Sequence, residues 1–222
     1  MNGSGDEIVQ LALGSVTLEG ALRIPEEAKG IVLFAHGSGS GRHSPRNRYV
    51  AQALCEGGLA TLLIDLLTAS EEREDDRTAR LRFDINLLAE RVVGATDWLL
   101  KNAKSARLRI GYFGASTGAA AALVAAAERP DAVGAVVSRG GRPDLALPVL
   151  KRVKAPTLLI VGGHDLPVIG MNREAFEHLR AEKRLEIVPG ATHLVEEPGT
   201  LEQVARLARD WFLEHLCLLT NA

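Results

Sequence analysis

Cysteine is nearly absent: Cys55 and Cys217 are the only two in 222 residues, and neither belongs to a Cys-x-x-Cys pair. That excludes a disulfide framework and leaves two reduced packing thiols in a protein expected to be cytoplasmic. No apolar run approaches the ~18 residues that a bilayer crossing needs, so no membrane association is expected. The opening residues Met-Asn-Gly-Ser-Gly-Asp-Glu lack both the basic start and the apolar stretch of a secretory signal. Charge of one sign is missing too. Lys and Arg number 26 against 28 Asp and Glu, a net charge of −2, which argues against a nucleic-acid partner. What remains is a chain 46% hydrophobic and 24% charged, enough apolar material for a packed core.

Along the chain, short apolar runs alternate with helical patterns. Ile8–Leu13 and Val16–Ile24 read as a hairpin turning at Gly14-Ser15. Ile31–Ala35 is apolar at every position, the mark of a strand buried on both faces of a parallel sheet. Ser44-Pro45 then reads as an N-cap with Pro in the first turn of a helix running to Gly57-Gly58. Further strands are predicted at Ala60–Leu67, Leu108–Phe113, Val133–Ser138, Thr157–Val161 and Leu185–Val188. Between the fourth and fifth strands, Ser70–Arg77 reads as a charged, solvated connection, with the rim of an active site as the sharper alternative. It is followed by a helix with Ile85, Leu88, Val92, Ala95 and Leu99 on one face. Thr200 and Gln203 stand at capping-box spacing at the start of the last helix. The pattern predicts one α/β domain over residues 1–222, with a mostly parallel, helix-covered sheet.

Gly114-Ala-Ser116-Thr-Gly118 matches G-x-S-x-G and lies between an apolar strand and an Ala-rich helical stretch. A sharp strand-to-helix turn needs glycines two before and two after the serine, because only they allow backbone to pass so closely. A serine becomes nucleophilic only with an oriented base. Of the six histidines, His193 in Pro-Gly-Ala-Thr-His193 directly follows the last strand, and Asp165 in Gly-Gly-His-Asp165 follows the one before it. Parallel strands bring their C-terminal ends to one edge, so Ser116, Asp165 and His193 can meet there in the order Ser, Asp, His. Asp144 is the alternative acid, and His36 and His43 are lesser candidates, His36 being expected to shape its loop. Backbone N–H donors for an oxyanion are expected from Thr117 and from Ser38, with Gly39 next, in the loop His36-Gly-Ser-Gly-Ser-Gly41. Arg139, at the end of its strand, is a candidate for binding a substrate carboxylate, the alternative being an ion pair with a neighbour. Arg42 is a weaker candidate for the same role.

Together, Ala35-His-Gly-Ser-Gly39, Gly-Ala-Ser116-Thr-Gly, Gly-Gly-His-Asp165 and Gly-Ala-Thr-His193 resemble the α/β-hydrolase superfamily, specifically its dienelactone hydrolase-like members. The resemblance implies an α/β-hydrolase fold: eight strands, mostly parallel with the second antiparallel, and helices on both faces; the short connections after Val133–Ser138 leave no room for a large lid. The residues themselves point to a serine hydrolase of carboxylic esters, with lactones or thioesters as alternatives and no metal or organic cofactor; the missing lid suits small esters, and a monomer or homodimer is expected. One departure points away from dienelactone itself: named dienelactone hydrolases carry a cysteine nucleophile where this chain has Ser116. Two rivals are a non-catalytic binding module of the same fold and a nucleotide-binding protein using the Gly-rich loop with Asp65 as ribose acceptor. The second fails on spacing, since Arg42 stands where G-x-G-x-x-G needs its third glycine.

Overall fold

A computed structural model describes residues 5–217. Its centre is an eight-stranded sheet in the order β1-β2-β4-β3-β5-β6-β7-β8, where β2 runs antiparallel to both neighbours and the remaining pairings are parallel. The strands are β1 (Glu7–Leu13), β2 (Val16–Arg23), β3 (Ile31–Ala35), β4 (Ala60–Ile64), β5 (Ile110–Ala115), β6 (Val133–Arg139), β7 (Thr157–Gly162) and β8 (Lys183–Val188). The helices are α1 (Pro45–Glu56), α2 (Ala69–Thr78), α3 (Ile85–Lys101), α4 (Thr117–Glu128), α5 (Leu166–His178) and α6 (Thr200–Leu216). 3-10 turns occupy Leu81–Phe83 and Pro143–Arg152.

The unbroken apolar runs follow from burial on two sides. Ile31, Leu33 and Ala35 of β3 join the core formed with α3 and α4, while Val32 and Phe34 join the opposite core with α1 and α6. Phe34 meets Phe113 of β5 there, ring centroids 4.9 Å apart, above Trp211 and Phe212 of α6. Every residue of α4 from Thr117 to Ala127 is buried. Its alanines leave room for close approach to the sheet: a Cβ at Gly114 would lie 2.4 Å from the Ala119 Cα.

Three expectations change. β4 ends at Ile64 rather than Leu67: the Asp65 N–H still bonds the Glu19 carbonyl of β2, but the next N–H, that of Leu66, turns to His36 Nε2. The last helix is capped by Gly199, at φ 80°, and Thr200 donates its hydroxyl to the Glu197 carbonyl, so no Thr200–Gln203 box forms. Most consequentially, Ser70–Arg77 is not a loop but lies within α2. Thr68 and Glu71 close a reciprocal capping box, Glu71 and Glu72 occupy the positive first turn, and Arg77 pairs with Glu74 near the end. The helix lacks an apolar stripe, which hid it from a periodicity argument; Thr-x-x-Glu was its sequence signal.

Among the described residues, no helix is long and apolar enough to cross a membrane.

Candidate active site

Ser116 occupies the turn between β5 and α4 with φ 50° and ψ −123°, a conformation that costs a non-glycine residue about 1–3 kcal/mol. The surrounding backbone fixes it. Its N–H donates to the Arg139 carbonyl at 3.4 Å, and its carbonyl accepts from Arg142 N–H at 3.1 Å. Both glycines of the motif are sterically required. A Cβ at Gly118 would fall 2.2 Å from the Ala35 carbonyl oxygen and 2.3 Å from that of His36.

His193 and Asp165 come from the loops after β8 and β7. The imidazole Nδ1 lies 2.6 Å from Asp165 Oδ2, which orients the ring and leaves Nε2 as the free edge. Asp165 is largely shielded while the imidazole is 41% exposed, so the base remains open to a ligand. Gly140 links this pair to Ser116. It directly follows the Arg139 carbonyl that holds Ser116, and a Cβ built on it would sit 3.7 Å from His193 Nδ1. Among the described residues, no hydrogen bond joins the Ser116 hydroxyl to His193. Asp144, the alternative acid, is taken by Arg142 through two bonds of 2.9 and 2.8 Å.

The loop after β3 lies beside Thr117. Ser38 Oγ is 3.1 Å from Thr117 Oγ1, and Ser40 N–H donates to the Gly37 carbonyl to close the turn. His36 shapes this loop as expected. Its Nε2 accepts from Leu66 N–H and its Nδ1 faces the Gly37 carbonyl, each at 2.9 Å. Burial lowers its pKa, so the ring is the neutral tautomer that this pattern requires.

Arg139 does not stand on the site's surface. Only 7% exposed, it bonds the carbonyl of Leu194, next to His193, at 3.5 Å and Asn47 Oδ1 of α1 at 3.4 Å, and it pairs with no described carboxylate. Burial pulls its pKa down to about 10, so it stays charged at neutral pH. It therefore fits neither the displayed carboxylate binder nor the ion-paired arginine expected from sequence. Arg42 is also engaged, with Asp65 and Glu19.

Asp75 falls in the segment that reads from sequence as a solvated connection or active-site rim, and Arg82 is not singled out there. The Asp75 carboxylate is nearly enclosed and takes Arg82 N–H at 3.0 Å and Nε at 2.6 Å, which pins α2 to the segment after it. α2 is further held by the Glu71–Arg91 pair to α3 at 2.7 Å. With the loop after β3 it bounds a narrow cavity of about 30 Å³ that reaches His36, Ser38 and Thr117. A second cluster, Glu182, Glu214 and His215, has potential metal ligand atoms within 4.8 Å of one another. Glu182 precedes β8, so this group lies at the sheet edge opposite His193.

The fold recurs in known proteins at different degrees of likeness. A crystal structure of a dienelactone hydrolase from Anabaena variabilis superposes with a TM-score of 0.95 at 64% identity, covering 97% of this chain and 100% of that one. Est1E from Butyrivibrio proteoclasticus matches at TM-score 0.79 and 17% identity over 95% of this chain and 98% of its own, a likeness of fold. Two putative phosphoribosyl transferases of Mycobacterium tuberculosis are each 58% identical over 212 residues. The match takes in 96% of this chain but 47% of theirs, so the chain spans about half the length of those curated relatives. The family model for dienelactone hydrolases aligns with residues 18–212, from β2 into α6, and the chain belongs to the dienelactone hydrolase family.

Proposed function

We propose that the protein is a serine hydrolase cleaving carboxylic esters and, by the same chemistry, lactones or thioesters. Ser116 Oγ attacks the carbonyl carbon while His193 Nε2 takes its proton. Asp165 holds the ring through Nδ1–H and stabilises the imidazolium. The backbone N–H groups of Thr117 and Ser38 receive the oxyanion, each such donor contributing about 3 kcal/mol to lowering the barrier. His193 returns the proton to the leaving oxygen or sulfur, and water, deprotonated by the same ring, releases the acid and regenerates Ser116. Each step uses only these groups and water.

The observation that carries this reading is the 2.6 Å His193–Asp165 contact at the sheet edge where Ser116 is held in its strained turn. The transferase name of the mycobacterial relatives belongs to proteins about twice this length. The dienelactone hydrolase family match occupies residues 18–212 of this chain, which favours the hydrolase reading for it. Asp65, the acceptor a nucleotide reading needs, is engaged by the Arg42 N–H at 2.8 Å.

Turnover of p-nitrophenyl acetate tests the proposal. The wild type should release p-nitrophenol, and Ser116→Ala should lose that activity with an unchanged circular dichroism spectrum. Equal rates in the two proteins would overturn it.

A further inference from the structure

A buried guanidinium without a carboxylate is costly, and no step of the mechanism above uses the one this protein has. Arg139 nevertheless touches both halves of the site. Its carbonyl accepts the Ser116 N–H, so its backbone belongs to the nucleophile turn. Its side chain forks the other way: Nη1 donates to the Leu194 carbonyl and Nη2 to Asn47 Oδ1. Asn47 is buried in the first turn of α1, where its N–H donates to the Ser44 cap, so that arm of the fork is anchored. His193 and Leu194 are the central residues of a turn that the Val195 N–H closes onto the Thr192 carbonyl at 3.3 Å. Val195 has φ 58°, an outlier for a β-branched residue, and lies 2% exposed in the core shared with α1 and α6. Strain of this kind persists only where the surroundings over-determine it. The Leu194 carbonyl and the Val195 N–H belong to one peptide group. Thr192 holds its N–H end and Arg139 its carbonyl end, so the plane that sets Val195 φ is fixed from both sides.

We propose that Arg139 is a positioning residue, whose side chain holds the strained turn carrying His193 in register with the Ser116 turn that its backbone holds. The inference rests on the hydrolase reading and adds to it a residue that touches no substrate. Without the guanidinium, the Leu194–Val195 peptide is free to rotate, Val195 relaxes toward negative φ, and the His193 imidazole turns away from Ser116. The Asp165 contact does not prevent this, since it grips the ring at Nδ1 alone and leaves Nε2 free to swing about it. Arg46 and Glu196 tie the same loop to α1, but both lie toward solvent on flexible side chains. A planar cation with donors at fixed spacing is what reaches from β6 to Asn47 and Leu194 together. The charge is thus retained for the register of base and nucleophile rather than for stability.

The test compares Arg139→Met and Arg139→Lys with the wild type on one short neutral ester, reading kcat, KM and melting temperature separately. Arg139→Met, similar in volume but without donors, should lower kcat by about 10²-fold, the cost of a base displaced by about 1 Å. KM should stay within about twofold and melting should change little. Arg139→Lys keeps the charge and one donor but cannot span Asn47 and Leu194, so its kcat should fall by about tenfold. Wild-type kcat in either variant, or a loss of kcat matched by a loss of melting temperature, overturns the inference, while turnover by the wild type leaves the hydrolase reading intact. Proton NMR gives an answer without catalysis. The Nδ1 proton that His193 shares with Asp165 should give a far-downfield resonance, identified by its absence in His193→Ala. A shift or broadening of that resonance in Arg139→Met supports the inference even if no ester is cleaved, and an unchanged resonance overturns it.

Discussion

Ser38 Oγ and Thr117 Oγ1 lie 3.1 Å apart, which ties the loop after β3 to the first turn of α4. The same two segments press together at Gly118, whose missing side chain is what lets the Ala35 and His36 carbonyls approach. Loop and helix start therefore behave as one unit, and both proposed oxyanion donors ride on it.

Gly118→Ala should accordingly break more than a local contact. Its Cβ would meet two backbone oxygens at 2.2 and 2.3 Å, neither of which belongs to a flexible side chain. We expect a loss of at least about 2 kcal/mol in urea unfolding. A fall in kcat larger than the rise in KM should accompany it. Wild-type stability in this variant would contradict the packing described.

Asp165→Asn should leave the fold intact and lower kcat by about 10⁴, because an amide at 2.6 Å from Nδ1 favours the wrong imidazole tautomer. KM should change little. Steady-state kinetics on one short ester decides this, and a loss of tenfold or less would remove Asp165 from its role.

For Arg139, the structure predicts an outcome opposite to carboxylate recognition. Its guanidinium is buried and carries only long bonds to Leu194 and Asn47, so Arg139→Met removes an uncompensated charge at similar volume. Such replacements are often neutral or stabilising. Melting should shift little, and kcat/KM should change by the same factor for anionic and neutral esters. A selective loss with anionic esters would restore the arginine to substrate binding.

Asp75 gives the acid limit of α2. Burial alone would raise its pKa, but hydrogen bonds from the Arg82 N–H and guanidinium outweigh that and hold it below the ordinary carboxylate range. A depressed folded-state pKa means the stabilisation is full at neutral pH and disappears as pH falls through that lowered value. Asp75→Asn should cost about 2 kcal/mol at pH 7 and progressively less below pH 4. Thermal melts of both proteins across that range measure the difference. A constant gap would show that the carboxylate charge contributes nothing.

Much of this was legible in the sequence because it rests on local chemistry. Ile31–Ala35 is apolar throughout because both of its faces are covered, and Gly114 and Gly118 stand where backbone crosses backbone. The approach of Asp165 to His193 followed from strand polarity. Two features were missed. α2 draws its stability from a capping box and ion pairs rather than an apolar stripe, so hydrophobic periodicity passed over it. Arg139 sits at the expected strand end, but the direction of its long side chain is set by Asn47 and Leu194, which are remote in sequence.

The central claim is that Ser116 is a nucleophile activated by His193. Intact-protein mass spectrometry after treatment with a fluorophosphonate tests it most directly. One adduct should form on the wild type, map to Ser116, and be lost in Ser116→Ala and strongly slowed in His193→Ala. An unlabelled wild type, or an adduct that persists in Ser116→Ala, would contradict the account.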